Sequence, residues 1–132
     1  MMQETTKPRT QELTRAELEI MQILWQKGKG LVHDILDSMP APKPAYNTVS
    51  TIVRILEKKG FVGHTAYGKT HEYYPLVGRE EYTEGYMTGV LGNFFDSSLV
   101  QMMSFFAQRE NVSTEEFDQI IGMLQQAKNQ AL

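Results

Sequence analysis

Residues 43–75 read KPAYNTVSTIVRILEKKGFVGHTAYGKTHEYYP, and this stretch decides the fold. Within 45–59 the apolar residues Val49, Ile52, Val53 and Leu56 recur at the i, i+3, i+4, i+7 spacing of one helical stripe. Asn47, Ser50, Thr51, Arg54 and Lys58 follow the same spacing on the opposite side. A helix buried along the first stripe therefore presents hydrogen-bonding groups along the second. Arginine pairs bidentately with guanine and asparagine with adenine, while short hydroxyls reach phosphates or base edges without holding a helix out of a groove. Glu57 is the only acid within 45–59. A mixed polar face is also what water requires of any surface helix, so the flanking sequence has to decide between a recognition helix and an ordinary one.

Gly60 is placed to take the left-handed conformation that stops a helix, and Phe61 opens a strand. The runs 61–67 and 70–76 are rich in aromatic and β-branched residues, and Tyr67-Gly68-Lys69-Thr70 supplies the glycine of a tight hairpin. Its tip is basic, with Lys69 flanked by His64 and His71. Across 43–71 five basic residues, Lys43, Arg54, Lys58, Lys59 and Lys69, oppose Glu57 alone. The whole chain carries −3, but unevenly: residues 1–75 hold ten Lys/Arg against eight Asp/Glu, and residues 76–132 hold three against eight. That asymmetry points to a basic working face, salt-sensitive in binding, with an acidic remainder kept away from a polyanion. The expected contacts to double-stranded DNA are Lys43, Tyr46, Asn47, Thr48, Ser50, Thr51, Arg54 and Lys58 at the helix and its entry, and Lys69, Thr70 and His71 on the hairpin.

The preceding residues supply a scaffold. Thr14 with Glu17 forms a capping box and Leu13 with Leu18 a hydrophobic staple. The helix they open runs through Ile20, Met21, Leu24 and Trp25 to the Gly28-Lys29-Gly30 break. Trp25 lies within the apolar stripe and is better read as a core anchor than as a ligand platform. Val32, Ile35, Leu36 and Met39 mark a shorter helix ending near Pro40. The next begins after Pro42-Lys43-Pro44, with Pro44 tolerated in its first turn. Three helices and a hairpin make a winged helix-turn-helix.

The run 13–21, Leu-Thr-Arg-Ala-Glu-Leu-Glu-Ile-Met, with Leu24-Trp25 behind it, resembles the opening of the penicillinase-repressor family of the BlaI, MecI and CopY type. The run 46–60, with its TV-x-T-x-x-x-x-LEKKG pattern, and the close Tyr73-Tyr74-Pro75 are similar to that family's recognition helix and wing. The resemblance extends over nearly all of the chain from Leu13. It implies a bacterial homodimeric repressor binding a palindromic operator, and in the β-lactam-responsive members release by a membrane metalloprotease sensor that cuts an Asn-Phe bond in the helical half. The bond in register here is Phe105-Phe106; Asn93-Phe94 has the right pair twelve residues earlier.

The acidic half argues for a dimer on its own. Tyr82, Tyr86, Met87, Val90, Leu91, Phe94 and Phe95 are followed by Leu99, Val100, Met102, Met103, Phe105 and Phe106. A further capping box, Ser113 with Glu116, and a staple, Val112 with Phe117, open a last helix carrying Ile120, Ile121 and Leu124. So many large apolar groups exceed what a short helical segment can bury alone. Gly85, Gly89 and Gly92 weaken a helix unless backbones approach closely. The expected shared core is Tyr86, Val90, Phe94, Leu99, Met102, Phe105, Phe106, Phe117, Ile120, Ile121 and Leu124. The alternative is an intramolecular platform packed on the winged helix, and the methionine-rich stripe is better read as core than as a ligand pocket.

The chain is thus expected to be mainly α with a small hairpin: a polar arm over 1–12, a winged-helix DNA-binding domain over 13–77 and a helical dimerisation domain over 78–132. It has no run long enough to span a membrane and opens without the basic and apolar regions of a signal peptide, so a cytoplasmic protein without membrane insertion is expected. Zero cysteines exclude disulfides and the cysteine metal sensing that the resemblance links to the copper-responsive branch. His33, His64 and His71 lack metal-ligand spacing. Gly28-x-Gly30 is not a dinucleotide loop, and Glu80-Glu81 and Glu115-Glu116 suit first helical turns. No enzyme, cofactor or metal is expected. Two rivals stand: a repressor released by a small effector bound in the helical half, and a winged-helix protein-interaction module without DNA.

Overall fold

The computed structural model describes residues 12–109 and 111–131, so the polar arm lies almost wholly outside the described residues. In order come α1 (Arg15–Lys27), α2 (Val32–Asp37), α3 (Tyr46–Lys58), β1 (Val62–Tyr67), β2 (Thr70–Pro75), α4 (Arg79–Phe95), α5 (Leu99–Arg109) and α6 (Thr114–Ala131). The chain divides into two compact units, one reaching to Gly89 and the other Val90–Leu132. The first is a winged helix.

The capping box opens α1 as its sequence dictates. Thr14 Oγ1 accepts from the Glu17 amide at 3.1 Å, and Glu17 Oε1 accepts from the Thr14 amide at 2.9 Å. Ile20, Met21 and Leu24 are fully buried on one stripe, and Trp25 donates its indole N–H to the Val77 carbonyl at 2.8 Å. Trp25 is therefore an anchor. Glu17 is itself buried and meets the Lys59 ammonium at 2.8 and 3.0 Å, tying the start of α1 to the end of α3. Burial pushes its carboxyl up, but the Lys59 and Thr14 bonds outweigh that and leave it below the ordinary glutamate value. A carboxyl lowered by folding contributes stability that is whole above its unfolded value and is lost as pH falls through its folded one. Glu17→Gln should cost about 2–3 kcal/mol at neutral pH, discounted because Lys59 is partly exposed, and much less at pH 3. Denaturant unfolding at both values checks this; an equal cost at both would refute it.

On α3 the Val49, Val53 and Leu56 side chains are fully buried, while Ile52 is only half-buried. The helix starts at Tyr46, two residues too late for Pro44 to lie in its first turn: Ala45 is the N-cap, and Pro44 lies outside. It ends as a Schellman motif, with Phe61 N–H on the Leu56 carbonyl at 2.9 Å and Gly60 N–H on the Glu57 carbonyl at 3.0 Å. Gly60 has φ 87°, which a side chain would strain. Phe61, fully buried, then carries the chain into β1.

β1 and β2 pair antiparallel from Val62↔Pro75 to Tyr67↔Thr70 around Gly68-Lys69. Among the two turn residues only Gly68 has positive φ, 64°, as a type II′ hairpin requires. At the other end a Cβ on Gly63 would lie 3.1 Å from the Tyr74 ring across the ladder, so that aromatic covers the glycine. A short third edge is added by Gly30, which exchanges both backbone hydrogen bonds with Tyr73 at 2.9 and 2.8 Å.

Tyr82, expected in the helical half, belongs to the winged-helix core. It is 6% exposed, its hydroxyl accepts the Leu13 amide at 2.9 Å, and its ring lies about 6 Å from those of Trp25 and Phe61. Val77 is buried too. The first unit therefore extends into α4, past the expected boundary at 77/78, because a tyrosine one turn into that helix fills the gap between α1 and the hairpin.

The second unit contrasts with the first. Neither α5 nor α6 has a buried residue. The corner before α5 holds Asp96 and Ser97 at φ 52° and 59°, with the Ser97 amide on the Leu91 carbonyl at 3.0 Å. Ser98 and Ser113 cap the helices that follow, their hydroxyls accepting from the Gln101 and Glu116 amides at 3.1 Å. No described helix is long and apolar enough to cross a membrane.

Candidate functional site

The exposed face of α3 is opposite its buried stripe, so packing alone aims it outward. Asn47, Thr51, Arg54 and Lys58 are exposed along it, with Tyr46 and Thr48 exposed in the first turn and Ser50 half-buried. Thr51 donates its hydroxyl to the Asn47 carbonyl at 2.9 Å, which engages its proton and leaves its oxygen lone pairs free to accept. There is no acid in the first turn of α3, so the positive end of the helix dipole is uncompensated. Beside it, Lys69 and Thr70 are exposed at the hairpin turn.

Two of the five cations counted over 43–71 serve other purposes. Lys59 is bound to Glu17. Lys43 turns back and donates to the carbonyls of Leu36 and Asp37 at 3.0 Å and of Met39 at 2.7 Å. Arg54, Lys58 and Lys69 form no ion pair among the described residues. The basic character of this face is therefore concentrated in three groups.

The histidines also differ from expectation. His64 is half-buried and meets Glu57 at 2.5 Å, Nδ1 to Oε2, so it lies against α3 rather than at a phosphate-facing tip. His71 stacks on it, ring centroids 4.1 Å apart and 8° from parallel, and remains exposed. Pairing of His64 with Tyr73 and of Ala66 with His71 puts all three rings on one face of the hairpin. Burial, with Glu57 nearby, raises the Tyr73 phenol above its usual value, while Arg54 opposes the shift. The one acid of α3 is thus held by the wing, a contact between helix end and strand that no sequence spacing announces. A second unforeseen contact places the His33 ring 4.8 Å from that of Tyr46. No group of three or more His, Cys, Asp or Glu is poised to hold a metal among the described residues.

In the second unit, α5 and α6 frame an apolar groove of about 610 Å³ lined by Leu99, Val100, Met103, Phe106, Val112, Phe117, Ile120 and Leu124. It gathers five of the residues expected to form a shared core: Leu99, Phe106, Phe117, Ile120 and Leu124. Phe94, 76% exposed, and Val90, Met102, Phe105 and Ile121 lie outside its lining. Phe105 packs instead on Phe95 at 5.5 Å, with the Arg109 guanidinium 4.4 Å over its ring. Tyr86 falls in the first unit and stacks on Tyr82 at 6.1 Å. A Cβ on Gly89 would meet nothing within 4 Å and one on Gly92 only Ser97 Oγ at 3.7 Å, so neither glycine is needed for a close approach within the chain.

Penicillinase repressor is the description of the family whose profile matches residues 13–126. The chain belongs to the penicillinase repressor family. Among its relatives, the penicillinase repressor of Bacillus licheniformis is 24% identical over 119 residues, 89% of this chain and 93% of that protein. The transcriptional regulator BlaI of Mycobacterium tuberculosis (strain ATCC 25618 / H37Rv) is 30% identical over 105 residues, 77% of this chain and 75% of that one. A solved MarR family protein from Bacillus stearothermophilus matches with a TM-score of 0.51 at 16% identity, over 92% of this chain and 76% of that chain, a likeness of fold alone. The TV-x-T pattern and the LEKKG close of α3 lie within the family match, and each now has a structural reason: Val49 and Leu56 are core, Lys59 holds Glu17, and Gly60 makes the left-handed stop.

Proposed function

We propose that this chain is a transcriptional repressor that binds a palindromic operator in double-stranded DNA as a homodimer. The winged helix reads the DNA, and residues 90–132 join the two copies. The observation that carries this reading is α3, whose fully buried stripe of Val49, Val53 and Leu56 forces Asn47, Thr51, Arg54 and Lys58 into one exposed row. Those are the side chains that match base edges and phosphates in a major groove. The similarity to the penicillinase repressor of Bacillus licheniformis supports the same role. Dimerisation is supported by helices α5 and α6, which hold no fully buried residue in the single chain yet carry an apolar groove.

Arg54→Ala tests the reading most directly. The side chain is exposed, so folding should be unaltered, while specific binding should weaken by about 1–3 kcal/mol and preference should relax at one operator position. Titration against a duplex enriched from a randomised pool by the wild-type chain, and against single-base variants of it, measures both. Unchanged affinity in a folded variant would reject the assignment and favour a protein-interaction module.

Release by a membrane metalloprotease sensor is a further element of this proposal. Phe105-Phe106 lies within α5, whereas Asn93-Phe94 lies in the last turn of α4 next to the left-handed Asp96-Ser97 corner, with Phe94 largely exposed. Exposure favours Asn93-Phe94 as the cut. Peptide mapping after treatment with such a protease would locate it, and an intact 93–94 bond would exclude that site.

A further inference from the structure

The turn between α2 and α3 is spanned by a basic side chain. Lys43 lies beyond Pro40 and Pro42 yet reaches back to the carbonyls of Leu36, Asp37 and Met39 at 3.0, 3.0 and 2.7 Å. An ammonium has three N–H donors and no acceptor. All three donors are engaged here, so none is left for a phosphate.

The helix it caps has reason to need it. α2 is six residues long and carries no basic residue in its last turn. A helix that short gains little from its own hydrogen bonds, and its last carbonyls concentrate the negative end of the dipole. The Ser38 and Met39 amides satisfy the Ile35 and Leu36 carbonyls at 3.1 Å. The Ser38 hydroxyl donates to the Asp34 carbonyl at 3.1 Å, and the Lys43 ammonium adds its donors to the Leu36, Asp37 and Met39 carbonyls from the far side of the turn, two residues before the Ala45 N-cap of α3. It therefore ties the end of one helix to the start of the next.

We propose that Lys43 is a positioning residue for operator binding: it fixes the entry of α3 against the end of α2, and so the presentation of Asn47, Thr51, Arg54 and Lys58, without touching DNA. This rests on the DNA-binding reading above. It assigns to a lysine in a basic segment a role opposite to the electrostatic one its charge suggests.

The two roles leave different signatures in salt. A lysine that neutralises a phosphate contributes about 0.9 to the slope of log K against log salt and supports all sequences alike. A positioning lysine contributes to discrimination and leaves the slope unchanged. The test compares wild type, Lys43→Met and Lys43→Arg in the full-length chain, titrated at several salt concentrations. The probes are a duplex enriched from a randomised pool by the wild-type chain and a random duplex of equal length. For Lys43→Met the expected result is a loss of about tenfold or more on the enriched duplex, the scale of one base contact, with little change on random DNA and an unchanged slope. Lys43→Arg should recover part of the loss, since a guanidinium can donate to the same carbonyls. Melting of each variant sets a measurement temperature well below unfolding, so lost stability alone does not move the discrimination ratio. A slope shallower by about one contact, with both duplexes weakened equally, would overturn the proposal and make Lys43 a phosphate ligand. Full affinity and discrimination in Lys43→Met would overturn it as well. Failure of the wild-type chain to enrich any duplex would bring down the DNA reading itself, and this assignment with it, whereas the first two results leave that reading intact.

Discussion

Phe106→Asp should convert the full-length chain to a monomer and lower its affinity for a palindromic duplex by about 10²–10⁴-fold, the scale on which a second linked site contributes. Phe106 is 43% exposed in the single chain and lines the groove with Leu99, Phe117, Ile120 and Leu124. In the isolated unit an aspartate there stays solvated, so the helices should survive. At an interface between copies it would be an unpaired charge taken out of water, which costs several kcal/mol. The substitution therefore strikes association harder than folding. Two-fold association also sets operator geometry, placing the winged helices on half-sites about 10 base pairs apart, or a multiple of that. Sedimentation of wild type and variant, with titration against one and two half-sites, measures both effects. A variant that remains dimeric would take the groove out of the interface and leave it to an effector, whereas a wild-type monomer that binds one half-site as tightly as the palindrome would sink the dimer itself.

The second large effect concerns where the winged helix ends. A fragment of residues 1–89 should fold as a monomer with near non-specific affinity for duplex DNA, whereas residues 1–76 should not fold stably. The shorter fragment loses Val77, whose carbonyl accepts from Trp25, and Tyr82, whose hydroxyl accepts the Leu13 amide and whose ring packs near Trp25 and Phe61. Removing a buried aromatic costs about 3–5 kcal/mol, and the valine and two buried hydrogen bonds add to it. Together they rival the whole stability of a small domain, about 5–15 kcal/mol. Circular dichroism and thermal melting of the two fragments compare them directly. Cooperative melting of 1–76 at the temperature of 1–89 would show that α4 is dispensable to the core.

The elements of the winged-helix unit were legible because each is specified by short-range chemistry. The capping box at Thr14 and Glu17, the 3.6-residue stripe of Val49, Val53 and Leu56, the left-handed stop at Gly60 and the glycine of the hairpin all act within a few residues, so their spacing is visible in the chain. The outward row of Asn47, Thr51, Arg54 and Lys58 follows from the same periodicity, since burying one stripe of a helix determines what the other presents. What depended on the tertiary structure is where long side chains go. Lys43, Lys59 and His64 belong by sequence to one basic segment, yet they cap α2, pair with Glu17 and bind Glu57. A flexible charged side chain has several partners within reach, and only the packing of distant elements selects among them. Tyr82 joins a core 69 residues away at Leu13 for the same reason: a gap between α1 and the hairpin exists only once both are assembled.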